Sequence, residues 1–272
     1  MIIAQITDLH ARPHGQMCNH VVDTNAMLAR AVDAIRALKP APDVVLATGD
    51  LTDTGQTAEY ETLRRELGRL PMPVYLVPGN HDRREGIRAV FGDLPYLPKE
   101  GRFSYTVEDH PVRLIALDTL IPGETHGEVG SEQRAWLEKQ LAAQPDRPTV
   151  VFMHHPPFPT GIDHMDRINC LDGAEIARTI GLHRQVERVL CGHHHRPIQI
   201  RWAGTIGSVA PSTAHQVTLD LTPDGPASFH LEPPAYHLHR WVEGAGLITH
   251  HAYVGSYAGP YPFISHKAKA MV

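Results

Sequence analysis

Short apolar runs of four to seven residues recur along the first 195 positions: Ile2 to Thr7, Asp43 to Thr48, Val74 to Val77, Val112 to Leu117, Thr149 to Met153 and Arg188 to Cys191. Most are rich in Val, Ile or Leu, the texture of strands buried in a sheet. Between them the period lengthens. Leu28, Ala31, Val32, Ile35 and Leu38 keep helical spacing, as do Tyr60, Leu63 and Leu67, and Trp136, Leu137 and Leu141 mark a further helix for which Ser131 is the expected N-cap. Strands alternating with helices predict an α/β domain whose helices cover a mixed or two-layered sheet. After about residue 197 the helical period disappears. Ile198 to Trp202, Val217 to Leu221, Ser228 to Leu231, Tyr236 to Val242 and Leu247 to Tyr253 read as strands joined by Pro- or Gly-containing turns, which predicts a C-terminal antiparallel β appendage. The division that follows is an α/β unit over 1–197, a β-rich segment over 198–256 and a tail over 257–272.

Composition narrows the class without naming it. At 272 residues the chain holds about two units of the ~150-residue domain prior, or one large domain with an appendage. Twenty-five Lys and Arg against 30 Asp and Glu leave a net charge of -5, so no cationic excess exists to grip nucleic acid. No apolar run is long enough to span a bilayer, and the first residues lack a basic leader, so a cytoplasmic protein without membrane partners is expected. Cys18, Cys170 and Cys191 are too few and too scattered for a disulfide framework or a zinc finger. Twenty histidines are the unusual feature, because imidazole is a common ligand for transition metals.

The histidines gather where apolar runs end. Asp8-Leu9-His10 follows the first run, Gly49-Asp50 the second, Gly79-Asn80-His81-Asp82 the third, His154-His155 a later one and Gly192-His193-His194-His195 the last. Carboxyl ends of strands in α/β sheets are where ligand sites collect, so the five segments are expected to share one mouth. In an extended chain alternate residues face the same way, which pairs Asp8 with His10 and His193 with His195 and turns His194 aside. The donors are oxygens and imidazoles without a thiolate, a set suited to Mn, Fe, Co or Zn. Their number exceeds the needs of one ion and suits two divalent ions sharing a carboxylate, for which Asp50 is the expected bridge.

In that order, D-x-H, G-D, G-N-H-D, the later His and G-H-x-H resemble the calcineurin-like metallophosphoesterase family over residues 8–195. Leu117-Asp118-Thr119, Pro122-Gly123, His126-Gly127-Glu128, Phe152 to Pro157, Thr213 to Val217 and Tyr257 to Pro260 extend the likeness to its class III cyclic-nucleotide phosphodiesterases and, nearest, to its bacterial glycerophosphodiester phosphodiesterases. The resemblance implies an αββα sandwich of two mixed sheets flanked by helices. It implies one metal on Asp8, His10, Asp50 and His195, and a second on Asp50, Asn80, His154 and His193. It further implies that His81, beside the ligand Asn80, meets the phosphate and assists the leaving group, with His215 as a second phosphate-side imidazole. The expected activity is hydrolysis of small phosphodiesters such as glycerophosphodiesters or cyclic nucleotides by a metal-generated hydroxide. Its rivals are a phosphomonoesterase or protein phosphatase on the same fold, and a scaffold without activity.

Other polar residues read differently. Asp82 is expected to orient the Gly79 turn or a neighbouring His, and His155 and His194 to be structural or supporting. His126 and Glu128 belong either to a solvated loop or to the pocket rim. His237, His239, His250 and His251 fit one face of a strand in the β appendage and are expected at the surface or in a subunit contact. The resemblance implies a homodimer or a dimer-based homo-oligomer, in which Trp202, Trp241, Tyr253 and Tyr257 cap a neighbour's cleft.

Overall fold

The computed structural model describes residues 1–263. The first half of the chain alternates strand and helix: β1 (Ile2–Ile6), α1 (Thr24–Arg36), β2 (Val44–Thr48), α2 (Thr57–Leu67), β3 (Val74–Val77) and α3 (Arg84–Phe91). A second series follows, with β4 (Tyr105–Val107), β5 (Arg113–Ala116), α4 (Gly130–Ala143), β6 (Thr149–Phe152), α5 (Asp163–Asp166), α6 (Gly173–Gly181) and β7 (Val186–Cys191). Strands close the chain: β8 (Ile198–Trp202), β9 (Thr205–Val209), β10 (Gln216–Val217), β11 (Phe229–His230), β12 (Ala235–Val242) and β13 (Gly246–Tyr253).

Two mixed sheets result. One has the order β13-β12-β1-β2-β3 and the other β4-β5-β6-β7-β9-β8. In the first, β1, β2 and β3 run parallel and β12 adds antiparallel to β1, Ile3 opposite His239. In the second, β5, β6, β7 and β9 are parallel, and β4 and β8 close the two edges antiparallel. The sheets share a buried network. Gln5 Nε2 donates to Thr48 Oγ1 (3.0 Å) in its own sheet and to the carbonyl of Cys191 (3.0 Å) in the other. Every residue of β2 is buried, as expected of a strand covered on both faces. The larger core joins Ile3, Ile6, Leu46 and Val77 to Leu28, Ile35 and Leu63 of α1 and α2, while a second core packs Ile115, Val151 and Val189 beneath Leu137 and Leu141 of α4.

The C-terminal strands are antiparallel pairs, β8 with β9 and β12 with β13, and each pair extends one of the main sheets. Only β10 and β11 form a small separate ribbon. The expected strand from Val217 to Leu221 stops at Val217, and Leu219 and Leu221 stand exposed. Strands β4 and β9 and helices α3 and α6 carry too few patterned residues to be read in advance. Ser131 is not the cap of α4, which begins one residue earlier after Val129. Its first amides are satisfied from a distance instead: the Asp172 carboxylate accepts from the backbone N–H of Val129 (3.0 Å) and Gly130 (2.9 Å). Of the expected tail, residues 264–272 lie outside the described residues.

Candidate metal centre

The five polar segments meet. Backbone hydrogen bonds stitch the ends of β1 and β2 together, Asp8 N–H to the Gly49 carbonyl (3.0 Å) and His10 N–H to the Asp50 carbonyl (3.0 Å). Gly192 N–H donates to the His154 carbonyl (2.9 Å), joining β7 to β6. Across the sheets, His193 N–H is 3.1 Å from both carboxylate oxygens of Asp8.

Convergence is achieved by a route different from the extended chain expected. Asp8 (φ 53°), His10 (φ 43°), Asp50 (φ 45°), His193 (φ 72°) and His195 (φ 52°) all occupy the left-handed region. Non-glycine residues adopt it rarely and at a cost, and a cluster at one strand-end mouth is the pattern of strain held at functional sites. Glycine relieves the crowding at two tight points of the mouth. Gly49 combines a φ of 93° with a position where a Cβ would overlap the His154 ring, and a Cβ on Gly79 would overlap the Asp50 carboxylate.

Three imidazoles are fixed through Nδ1 so that Nε2 points inward. His154 Nδ1–H donates to the Thr48 carbonyl (2.8 Å) and His195 Nδ1–H to the His215 carbonyl (2.9 Å), while His10 Nδ1 lies 3.3 Å from Asp53 Oδ1. Their free nitrogens crowd a small volume. His10 Nε2 and His195 Nε2 are 3.3 Å apart, His195 Nε2 is 3.4 Å from Asp8 Oδ1, and His154 Nε2 is 3.3 Å from Asp50 Oδ1 and 3.2 Å from Asn80 Oδ1. Asp8, His10, Asp50 and His195 offer donors that all lie within 4.8 Å of one another. A second such group joins His154 and His193 with His155. Both nitrogens of His155 are already engaged, with Thr119 Oγ1 (2.7 Å) and the Thr125 carbonyl (3.2 Å), whereas His193 Nε2 is buried without a partner. His194 turns away to Thr160 Oγ1 and Asn169 Oδ1, and Asp82 accepts from the N–H of Gly79, Leu51 and Thr52.

Burial and mutual charge shift the ionisable groups of this cluster. Burial and the neighbouring Asp50 charge push the Asp8 carboxyl up to about 6, against the pull of His154 and His10. Burial also works to raise Asp50, yet His154, His81 and His10 outweigh it and hold that carboxyl well below its usual range. Burial opposes protonation of His154, but Asp50 and Asp8 lift it to about 9. For His195, burial and then the His10 charge lower it to about 3, and burial drives His193 well down, so both imidazoles are neutral donors at physiological pH. Oxygen and imidazole donors without thiolate, a partnerless buried nitrogen and two facing Nε2 atoms fit divalent metal ions.

His81 and His215 stand beside this cluster. His81 N–H donates to Asp50 Oδ1 (3.0 Å), its Nδ1–H donates to the Asp53 carbonyl (2.7 Å), and its exposed ring leaves Nε2 3.9 Å from Asp50 Oδ2. The His215 ring centroid is 4.7 Å from that of His195 and 5.4 Å from that of His10, pressed against Phe229, and its Nδ1 is buried without a partner. Asn80 and His81 open onto a cavity of about 460 Å³. Sequence reasoning missed Asp53, which binds His10, Arg12 and Cys18 together. Its only signal was a carboxylate three residues after Asp50 on the same loop. His126 stands 3.9 Å from Glu124, and neither it nor Glu128 lines the His81 cavity.

The arrangement defines a two-sheet phosphoesterase with a buried His/Asp centre, and comparison with known proteins is more specific. The model of the family described as calcineurin-like phosphoesterase matches residues 1–197, and the chain belongs to that family. It is 40% identical over 270 residues to a probable glycerophosphodiester phosphodiesterase of Arcobacter nitrofigilis, covering 99% of each chain. A 3',5'-cyclic adenosine monophosphate phosphodiesterase of Escherichia coli is 30% identical over 79% of this chain and 76% of its own length. Among solved structures, a dimetal phosphatase from Danio rerio shares the fold with a TM-score of 0.66 at 15% identity, covering 94% of this chain and 99% of its own.

Proposed function

We propose that this protein is a dinuclear metal-dependent phosphodiesterase acting on small diesters, of the glycerophosphodiester or cyclic-nucleotide class named for its relatives. The observation that carries the reading is the set of inward Nε2 atoms of His10, His154 and His195, each held by a hydrogen bond or carboxylate on its far nitrogen, around the carboxylates of Asp8 and Asp50. In this reading Asp8, His10, Asp50 and His195 hold one ion, and Asp50, Asn80, His154 and His193 hold the other. Mn, Fe, Zn and Co all suit the donors. Bound together, two such ions neutralise phosphate oxygens and lower the pKa of a coordinated water.

The protein groups do the rest. Asn80 contributes a neutral amide oxygen, which binds more weakly than a carboxylate and leaves that end of the centre more open to substrate. His81, anchored through Nδ1 on the Asp53 carbonyl, presents Nε2 to the cavity mouth, where it donates a proton to the departing alkoxide. His215 offers a second imidazole edge to the phosphate. The test is protein stripped of metal, reloaded with each ion and assayed on glycerophosphodiesters, cyclic nucleotides, bis(p-nitrophenyl) phosphate and phosphomonoesters. A higher kcat/KM for monoesters than for every diester would favour a phosphomonoesterase, and no turnover with any ion would leave only a scaffold.

Two broader expectations belong to the same proposal. Three free, buried cysteines suit a reducing cytoplasm, and no described helix is long and apolar enough to cross a membrane. A homodimer is supported by β13, an edge strand carrying exposed Ile248 and Tyr253 with Tyr257 close by. Trp202 and Trp241 are partly buried against the cores and present less surface to a neighbour. Sedimentation equilibrium of the full chain at micromolar concentration measures the state directly, and a monomer there removes the dimer.

A further inference from the structure

The cavity beside Asn80 and His81 has one wall formed by the start of α3 and another by Leu120, Pro122 and Gly123. Its charges are nearly all spoken for. Arg84 grips the Asp118 carboxylate with two bonds, Nε to Oδ2 (2.6 Å) and Nη2 to Oδ1 (2.8 Å), and a third runs to the Leu120 carbonyl. Asp53 is matched by Arg12 (2.9 Å) and by His10. Asp82 spends its oxygens on backbone amides, Thr52 and Tyr60. Of the two arginines on this wall, Arg83 is the unpaired one. Its aliphatic stem lies across Gly55, where a Cβ would strike Cγ and Cδ, and its guanidinium has no acceptor among the described residues. Glu85 also lines the wall without an ion-pair partner, but residues two apart at a helix start do not face each other, so it does not neutralise Arg83.

From this unmatched guanidinium on the wall next to His81 we infer that Arg83 is a specificity-determining residue that receives a second anionic group on the substrate. The preferred diesters then carry an alcohol arm bearing a carboxylate or phosphate in addition to the scissile phosphate. Arginine suits the task because its planar fork pairs with such groups and its stem is already supported by the Gly55 backbone, so less freedom is lost on binding. The inference rests on the phosphodiesterase reading above.

Glycerophosphoserine and glycerophosphoethanolamine differ by a single carboxylate and test it directly. The ratio of their kcat/KM values, measured on the metal-loaded full chain, is expected to favour the serine diester. In Arg83→Ala the ratio falls about three- to fivefold, the scale of one solvent-exposed ion pair. Arg83→Lys retains most of it and Arg83→Glu inverts it. In wild type the ratio declines as salt is raised from 50 to 500 mM, a dependence that a purely structural residue would not confer. An unchanged ratio in Arg83→Ala, with both diesters still hydrolysed, overturns the inference and leaves the phosphodiesterase reading standing. Failure of wild type to hydrolyse either diester, cyclic nucleotides or bis(p-nitrophenyl) phosphate overturns both.

Discussion

Asp53 Oδ1 sits 3.3 Å from His10 Nδ1, on the side of the ring opposite the metal centre. The same carboxylate accepts from Arg12 Nη1 (2.9 Å) and from Cys18 Sγ (3.3 Å), and although burial works to raise it, the hydrogen bond and charge of His10 keep its carboxyl down near about 2. A carboxylate behind a ligating imidazole fixes its ring and raises its basicity. Asp53→Asn is therefore expected to weaken metal binding about 10–100-fold. Metal titration followed by calorimetry checks it, with thermal unfolding of the stripped protein as the control for folding.

Asp50 and Asn80 should separate under mutation. The Asp50 carboxylate reaches ligand nitrogens of both halves of the centre, 3.8 Å from His10 Nε2 through Oδ2 and 3.3 Å from His154 Nε2 through Oδ1. Asp50→Ala is expected to lose both ions and all activity, whereas Asn80→Ala loses one and recovers partly in excess metal. Elemental analysis after desalting reads this as metal per chain, and equal content in wild type and Asp50→Ala contradicts the bridge.

His81→Ala tests the proton donor. Because His81 reaches the centre through its backbone N–H and an exposed ring, removing the ring should leave metal content intact while kcat drops by about 10²-fold or more. The loss should shrink for diesters with an acidic phenol as leaving group, which needs no proton. Equal losses for alkyl and p-nitrophenyl esters would assign His81 a different task.

Stability should fall in acid through histidines remote from the metals. His237 and His239, expected at the surface, are instead buried in β12 because that strand pairs with β1 inside the first sheet, and the His237 ring centroid lies 5.6 Å from that of His251 and 5.8 Å from that of His239, with Arg188 nearby. Burial, then the His251 and Arg188 charges, lower it to about 3. Between pH 6.5 and 3 the unfolded chain binds a proton that the folded chain refuses, so stability is whole above 6.5 and is lost as pH falls through that window. Urea unfolding of His237→Phe from pH 7 to 4 should show a pH slope shallower by up to about 1.4 kcal/mol per pH unit. An identical slope would mean that His237 is not buried neutral.

Much was legible in the linear sequence because period and composition are local. Val44 to Thr48 is a strand in any setting that buries it, and glycine or aspartate at its end marks where the chain must turn. The ligand letters are equally local, so Asp8, His10, Asp50, Asn80, His154, His193 and His195 stood out by type, order and strand-end placement. Partners remote in sequence were not legible. Asp172 caps α4 from 42 residues away, Asp118 immobilises Arg84 from 34, and nothing in either local stretch announces the other. Side-chain direction was decided the same way. Asp8 and His10 aim inward through left-handed backbone that only the surrounding hydrogen bonds of both sheets hold in place, whereas a free strand would have presented them by simple alternation. The sequence by itself determined which residues have the chemistry for the centre; the tertiary structure decided which nitrogens face it and which cation at its rim stays unpaired, because both depend on neighbours supplied by distant chain.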